Sequence, residues 1–116
     1  MISLRAIKIR LEEFLAKNGW EISQRHFADG LSVLVEYWVV DSIWSPADTR
    51  IFIGFESYEE THDVLCLSLE EPKFRFRNEW SCDAYLTKGW EEKYDAFLDA
   101  ITTVRSSKTD NQAVDG

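Results

Sequence analysis

The chain has 116 residues, a formal net charge of −8 at pH 7 and 14% aromatic residues, among them five tryptophans. A chain of this length forms one domain with one core and needs no disulfide or metal to fold. Its hydrophobic content of 45% excludes global disorder, and no apolar run is long enough to span a membrane, so we expect a soluble protein without a membrane partner. The N-terminus has no apolar signal segment, which indicates a cytoplasmic location.

The first predicted element is a helix from about Ser3 to Lys17. Apolar residues recur there at the spacing of one helical face, and Asn18-Gly19 supplies a stop signal. The residues of this face are Leu4, Ile7, Leu11, Phe14 and Leu15.

A β-hairpin is predicted next, with strands at 20–27 and 31–40 joined through Ala28-Asp29-Gly30. Strict alternation places His26 on the same face of the first strand as Trp20, Ile22 and Gln24. Both faces of the second strand are apolar, which predicts a central position in a sheet. One face holds Val33, Val35, Tyr37 and Val39, and the other holds Leu34, Trp38 and Val40.

Three further strands are predicted at 51–55, 64–69 and 73–77. In the last of these, Phe74 and Phe76 alternate with three cations. A second helix is predicted from Trp90 to about Arg105, because apolar residues again recur at helical spacing. We therefore expect a single α+β domain at residues 1–105 and a disordered C-terminal tail at residues 106–116.

The order of these elements predicts an α+β fold with an N-terminal helix, an antiparallel sheet of about five strands and a C-terminal helix. Both helices are expected to pack on one face of the sheet. The other face needs its own explanation, because the second strand is apolar on both sides. Either the segment 78–89 covers that face, or the face is a binding surface, a small cavity or an interface between copies of the chain.

Acidic residues are concentrated in the sheet region. Residues 18–72 sum to −9, whereas residues 1–17 sum to +2 and residues 73–77 to +3. Carboxylates at strand ends and in connections predict an acidic rim that speeds association with a basic partner. Trp44 lies in a loop and is interpreted as the aromatic anchor of an interface, or alternatively as a plug for the sheet edge. The predicted partner-binding residues are Asp41, Ile43, Trp44, Asp48, Glu56, Glu59, Glu60 and Asp63.

No pattern in the sequence specifies a catalytic or metal centre. His26 and His62 lack zinc-type spacing, and no glycine-rich phosphate loop is present. Cys66 lies in an apolar run, which predicts a buried, inert thiol rather than a disulfide with Cys82. The cations and aromatic residues of 73–77 alternate onto opposite faces, unlike those of an RNA-binding strand. We expect no enzymatic activity, no metal, no cofactor and no nucleic-acid partner.

The acidic charge and the missing reactive motifs favour a protein-binding module whose partner is a basic protein. The leading hypothesis is a bacterial immunity protein or antitoxin that covers the cationic active site of a nucleic-acid-cleaving toxin, and a small chaperone or adaptor has the same features. One alternative is a small-ligand binder or enzyme with a sheet-face pocket lined by Trp20, His26 and Trp38. Another is a structural homo-oligomer. We expect a monomer or a weak homo-oligomer.

Overall fold

The computed structural model describes residues 2–27, 33–43, 49–58, 62–72, 80 and 82–115, with side chains up to residue 104. The five strands form one antiparallel sheet in the order of the chain, β1-β2-β3-β4-β5. This arrangement confirms the predicted α+β fold class. The elements are α1 (Leu4–Lys17), β1 (Trp20–Phe27), β2 (Leu34–Ser42), β3 (Arg50–Tyr58), β4 (His62–Ser68), β5 (Cys82–Tyr85) and α2 (Trp90–Asp115).

Helix α1 begins and ends at the residues that its sequence indicates. The Ser3 hydroxyl accepts a hydrogen bond from the Ala6 amide at 3.2 Å, which satisfies one of the amides left unpaired at a helix N-terminus. At the other end, the Asn18 side-chain amide donates to the Phe14 carbonyl at 2.7 Å. Gly19 follows with a φ of 79°, a conformation that favours glycine. The chain then turns directly into β1.

Both helices pack on one face of the sheet, which we call the helix face. Ile7, Leu11 and Leu15 of α1 and Phe97 and Ile101 of α2 are buried there against the strands. Apolar helix stripes facing an apolar sheet face provide most of the stability of such a fold. The strand residues of this core are Trp20, Trp38, Val40, Ile51, Ile53, Phe55, Leu65, Leu67 and Ala84.

One charged residue lies within the helix-face core. Glu36 of β2 is 5% exposed, and its carboxylate accepts a hydrogen bond from the indole nitrogen of Trp38 at 2.6 Å. The same carboxylate forms an ion pair with Lys8 of α1. The Lys8 ammonium also lies over the ring of Phe55, 5.0 Å from its centroid. These contacts pair a buried carboxylate and fix α1 against the sheet.

A β-bulge in β1 moves His26 away from the face predicted for it. The register shifts between Ile22 and Gln24, so the alternation of side chains reverses at that point. Trp20 and Ile22 pack into the helix-face core, whereas His26 stacks on Tyr37 on the opposite face, with ring centroids 4.7 Å apart. The prediction that His26 shares a face with Trp20 is therefore wrong.

A second bulge has the same effect in β2. The register shifts between Leu34 and Glu36. Leu34 consequently packs with Tyr37 and Val39, although strict alternation predicts that it shares a face with Trp38. The prediction that β2 is central and apolar on both faces is confirmed, because β2 lies between β1 and β3 and contributes to two separate clusters of buried residues.

The C-terminal part of the sheet differs from the sequence prediction. The predicted strand at 73–77 lies outside the described residues, as does the hairpin connection Ala28-Asp29-Gly30, and the fifth described strand is β5. Helix α2 begins at Trp90 as predicted, but its backbone continues to Asp115 beyond the predicted end near Arg105. The segment 106–115 contains no proline or glycine that would stop a helix. The division into a folded domain and a disordered tail stays a prediction.

Candidate protein-binding face

The face of the sheet opposite the helices, which we call the open face, combines aromatic rings with carboxylates. A small cluster of buried apolar residues from β2 and β3 lies at its centre, with Trp80 packed against it. Around this cluster the strands place further buried residues, among them Glu56, and, farther out, polar and aromatic side chains that are only partly buried. The central and surrounding residues are Leu34, Tyr37, Val39, Phe52, Gly54, Glu56, Tyr58, His62, Val64, Cys66, Asp83 and Tyr85.

Three aromatic side chains, Tyr58, His62 and Tyr85, form what we call the aromatic row. Tyr58 and His62 are cross-strand partners, and their rings stack with centroids 4.8 Å apart and an interplanar angle of 18°. The Tyr85 ring meets His62 edge-on at 5.4 Å and 68°. Tyr58 is 36% exposed and Tyr85 is 45% exposed. The row is thus an ordered aromatic surface in contact with solvent.

A buried carboxylate lies directly beside the aromatic row. Glu56 is 7% exposed and accepts hydrogen bonds from the Tyr58 hydroxyl at 3.1 Å and from the Trp80 indole nitrogen at 3.2 Å. Burial, reinforced by the charge and hydrogen bond of Glu56, raises the pKa of Tyr58 to about 12. Tyr58 therefore remains a neutral hydrogen-bond donor to Glu56 throughout the physiological pH range.

Trp80 covers part of the open face because residue 54 is a glycine. A methyl group at Gly54 would lie 2.9 Å from Cζ2 of Trp80 and closer still to Cη2, so any other residue would displace the indole. Trp80 belongs to the segment 78–89 that the sequence offers as a cover for this face. Its indole covers Gly54, whereas the aromatic row is left partly exposed.

A second group of aromatic residues lies nearer β1. Tyr37 stacks on His26 and contacts Phe52, with ring centroids 6.3 Å apart in the second pair. The Tyr37 hydroxyl donates to a Glu71 carboxylate oxygen at 3.1 Å. Burial, together with the hydrogen bond to Glu71, raises the pKa of Tyr37 to about 12. Both open-face tyrosines that reach a carboxylate are thus held neutral.

The described members of the predicted partner-binding set do not form one rim. Asp41 pairs with Arg50 at one end of the sheet, whereas Glu56 lies six residues farther along β3, about 20 Å away. Asp63 lies on β4 beside the opposite end, where its carbonyl accepts from the Leu86 amide at 2.9 Å. Glu56 is buried and hydrogen-bonded, so its placement in an exposed rim is wrong. Trp44, Asp48, Glu59 and Glu60 lie outside the described residues.

Asp41 forms an ion pair with Arg50. The Arg50 guanidinium donates to both of its carboxylate oxygens, at 2.6 Å and 3.0 Å. These hydrogen bonds hold the pKa of Asp41 below its usual range. Ile43, just beyond the end of β2, is 60% exposed, as expected for a contact residue. Its role and that of Trp44 as an interface anchor stay predictions.

A groove of about 400 Å³ lies along the β1 edge, between α1 and β1. Arg25 spans its rim, donating to Glu12 at 3.1 Å and lying over the Trp38 ring at 4.6 Å. This groove is not the predicted ligand pocket, because Trp38 is fully buried and His26 lies on the open face. Its lining residues are Glu12, Leu15, Ala16, Trp20, Glu21, Ile22, Arg25 and Ile43.

The two thiols do not form a reactive pair. Cys66 and Cys82 are both free, and Cys66 is fully buried as the sequence predicts. Burial raises the pKa of each thiol, which suppresses the nucleophilic thiolate at neutral pH. Within the described parts of the chain, no cluster of His, Cys, Asp and Glu side chains is arranged to hold a metal ion. Likewise, no described helix is long and apolar enough to cross a bilayer.

Comparison with known proteins finds no relative of this chain. No family model, curated protein or solved structure matches the chain.

The sequence prediction did not include the aromatic residues of the open face as contact residues. Tyr58 ends β3 and His62 begins β4, so their cross-strand pairing follows once the two strands are placed. Tyr85 and Trp80 carried no such signal, because β5 has only four residues and was not predicted. The alternation in β3 does place Glu56 with Gly54 rather than with the helix-face residues.

Proposed function

We propose that this chain is a protein-binding module that binds a basic protein through its open face. The main observation is that carboxylates outnumber cations on the open face, whereas both signs of charge occur on the helix side of the sheet. Carboxylates from β1, β2, β3, β5 and the segment after β4 lie on or reach the open face. Among the described strand residues, Arg50 is the only lysine or arginine there. These carboxylates belong to Glu21, Asp41, Glu56, Glu71 and Asp83.

The cations of the N-terminal region lie on the other side. Lys8 is paired with Glu36 in the helix-face core, and Arg25 is bonded to Glu12 at the edge of α1. Arg10 lies over the Trp90 ring at 5.3 Å. A basic partner approaching the open face therefore meets a negative field, added to the formal net charge of −8. Such a field steers association and raises its rate.

The partly exposed rings of the open face supply the second requirement of an interface. Stable interfaces combine a core of aromatic contacts with a polar rim, and charge alone gives rate more than affinity. Tyr58 and Tyr85 are held in place by their contacts with His62. Little side-chain entropy is then lost when a partner covers them.

The biological role that we favour is a bacterial immunity protein or antitoxin acting in the cytoplasm on a basic, nucleic-acid-cleaving toxin. The active site of such a toxin is cationic because it binds phosphates, and an acidic aromatic surface can cover it. A small chaperone or adaptor for a basic client would use the same surface. In both roles the chain binds and does not catalyse.

The proposal is tested by capture with charge-matched variants. The tagged full chain, the open-face variant Glu21→Gln/Asp83→Asn and the helix-side variant Glu13→Gln/Glu91→Gln are incubated with lysate of the native cell. All four substituted residues are exposed, and both variants remove two negative charges. Captured proteins are identified by mass spectrometry, and each is titrated back onto the three chains.

We expect a stoichiometric basic protein that is released by moderate salt. Its affinity should fall about 2- to 30-fold for the open-face variant, the range for two exposed ion pairs, and stay unchanged for the helix-side variant. If the open-face and helix-side variants lose affinity equally, the attraction is nonspecific and the proposal is overturned. A concentration-dependent mass with no captured protein would instead support the homo-oligomer.

A further inference from the structure

We propose that the aromatic row binds an arginine side chain of the partner, with the guanidinium group stacked on the exposed tyrosine rings. The inference rests on the proposed function, since it names the chemical group that the open face recognises. The site consists of Tyr58, His62 and Tyr85, with the carboxylates of Glu56 and Asp83 on the same face.

The chain itself already places a cation at this row. The ammonium group of Lys93, in the first turns of α2, lies 5.5 Å from the centroid of the Tyr85 ring. Cations within about 6 Å of an aromatic face are attracted by the negative potential of the ring. Tyr85 is 45% exposed in spite of this contact, so the residue remains accessible to a partner.

Carboxylates beside the aromatic row increase its attraction for a cation. The Tyr58 hydroxyl donates to the Glu56 carboxylate at 3.1 Å, and a phenol that donates to an anion has a more electron-rich ring. Asp83 is exposed and precedes Tyr85 by two residues on the same face of β5, about 7 Å along the strand. A cation over the row is therefore attracted by both carboxylates, against the repulsion of the Lys93 ammonium at Tyr85.

The shape of the cation favours arginine over lysine at the aromatic row. The guanidinium group is planar and less strongly hydrated than an ammonium group, so it stacks on aromatic rings at a lower desolvation cost. The Tyr58 and His62 rings are nearly parallel, and Tyr85 stands edge-on to them. Flat rings in a fixed arrangement, bordered by carboxylates, suit a planar cation with several N–H donors. Arginine should therefore bind better than lysine.

The test uses three peptides of identical length, Gly-X-Gly-X-Gly with blocked ends, in which X is arginine, lysine or citrulline. Each is titrated into the ¹⁵N-labelled full chain at low salt, and amide shifts are followed. We expect saturable shifts at residues 58, 62 and 85 with the arginine peptide, weaker binding of the lysine peptide, and no binding of citrulline, which is planar but uncharged. Equal affinity for lysine and arginine, or shifts centred elsewhere, would overturn the inference.

Two substitutions separate recognition from folding. Tyr85→Ala should weaken arginine-peptide binding about two- to fivefold, the range for an exposed cation–ring contact, whereas Tyr85→Phe retains the ring and should bind normally. Ile9→Ala, an exposed position on α1, is the control for a distant truncation. If Tyr85→Phe binds the arginine peptide as weakly as Tyr85→Ala does, the phenolic hydroxyl and not the ring is required, and stacking on the ring is overturned.

The same variants distinguish this inference from the proposed function. A basic protein that depends on Glu21 and Asp83 but binds Tyr85→Ala normally would leave the protein-binding module intact and overturn the arginine site. Arginine peptides that bind the row, without any basic protein that discriminates between the charge-matched variants, would support the site and overturn the proposed partner.

Discussion

The two faces of the sheet are built from the same five strands but have different environments. On the helix face, Trp38, Ile53 and Leu65 are fully buried, and the buried charge of Glu36 is neutralised by Lys8. On the open face, Glu56 is hydrogen-bonded by side chains that themselves remain partly exposed. The comparison indicates that stability is concentrated on one face, which leaves the other face free to hold aromatic and acidic residues for recognition.

The largest expected difference between the faces is in the response to losing an aromatic ring. Phe97→Ala removes a fully buried ring from the helix-face core and should lower the free energy of unfolding by about 3 to 5 kcal/mol. Tyr85→Ala removes a half-exposed ring and should cost well under half as much. Chemical denaturation measures both, and similar losses would contradict the assignment of stability to the helix face.

The buried ion pair gives the next largest effect. Glu36→Gln keeps an acceptor for the Trp38 indole but leaves Lys8 without its counter-charge, and should cost about 2 to 3 kcal/mol. The double variant Lys8→Met/Glu36→Gln should lose less than the sum of the two single variants, because no unpaired charge remains. Strict additivity in denaturation experiments would show that the two side chains do not interact.

A smaller effect is expected where Trp80 covers the open face. Gly54→Ala places a methyl group against the indole and should cost about 1 to 2 kcal/mol through local overpacking. In the background Trp80→Ala the same substitution should cost clearly less, because the colliding ring is gone and only the contact with Leu34 Cδ1 at 3.1 Å remains. If the cost of Gly54→Ala is undiminished in that background, the overpacking against Trp80 is contradicted and the contact with Leu34 accounts for the loss.

The smallest effect concerns the exposed pair of Asp41 and Arg50. Because the pKa of Asp41 is lowered in the folded chain, its ionised form stabilises the fold above the unfolded pKa, and this contribution disappears as the pH falls through the folded pKa. Asp41→Asn should therefore lower the melting temperature by no more than a few degrees at pH 7. Below the pKa of Asp41, the unsubstituted chain and Asp41→Asn should have the same melting temperature. A difference in melting temperature that persists there would contradict the pairing of Asp41 with Arg50.

The sequence predicts the elements of this fold better than the faces of its strands. Helical periodicity located α1 and the start of α2, and apolar alternation located β1 to β4. The bulges in β1 and β2 then reversed the positions of His26 and Leu34. A bulge depends on pairing with a neighbouring strand, so a local pattern does not reveal it. The helix-face core was consequently predicted more fully than the open face.

The candidate site was harder to predict for a related reason. Its members come from β3, β4, β5 and the position of Trp80, and the hydrogen-bonded pair Glu56 and Trp80 is 24 residues apart in the sequence. Acidic composition pointed to a binding surface, but it could not distinguish the buried carboxylate of Glu56 from the exposed one of Asp83. Strand order makes that distinction, because Glu56 lies on β3 inside the sheet beside Trp80, whereas Asp83 lies on β5, the last strand of the described sheet.

The strand order has a consequence for how the chain folds. The major contacts in the described part of the chain join sequence neighbours: α1 with β1, each strand with the next, and β5 with α2. Such a topology needs no pairing between elements distant in the sequence, so we expect refolding at the intermediate rates of mixed helix-and-sheet domains. During synthesis, each strand can pair with its predecessor as it leaves the ribosome, and the helix-face core is completed when α2 emerges last.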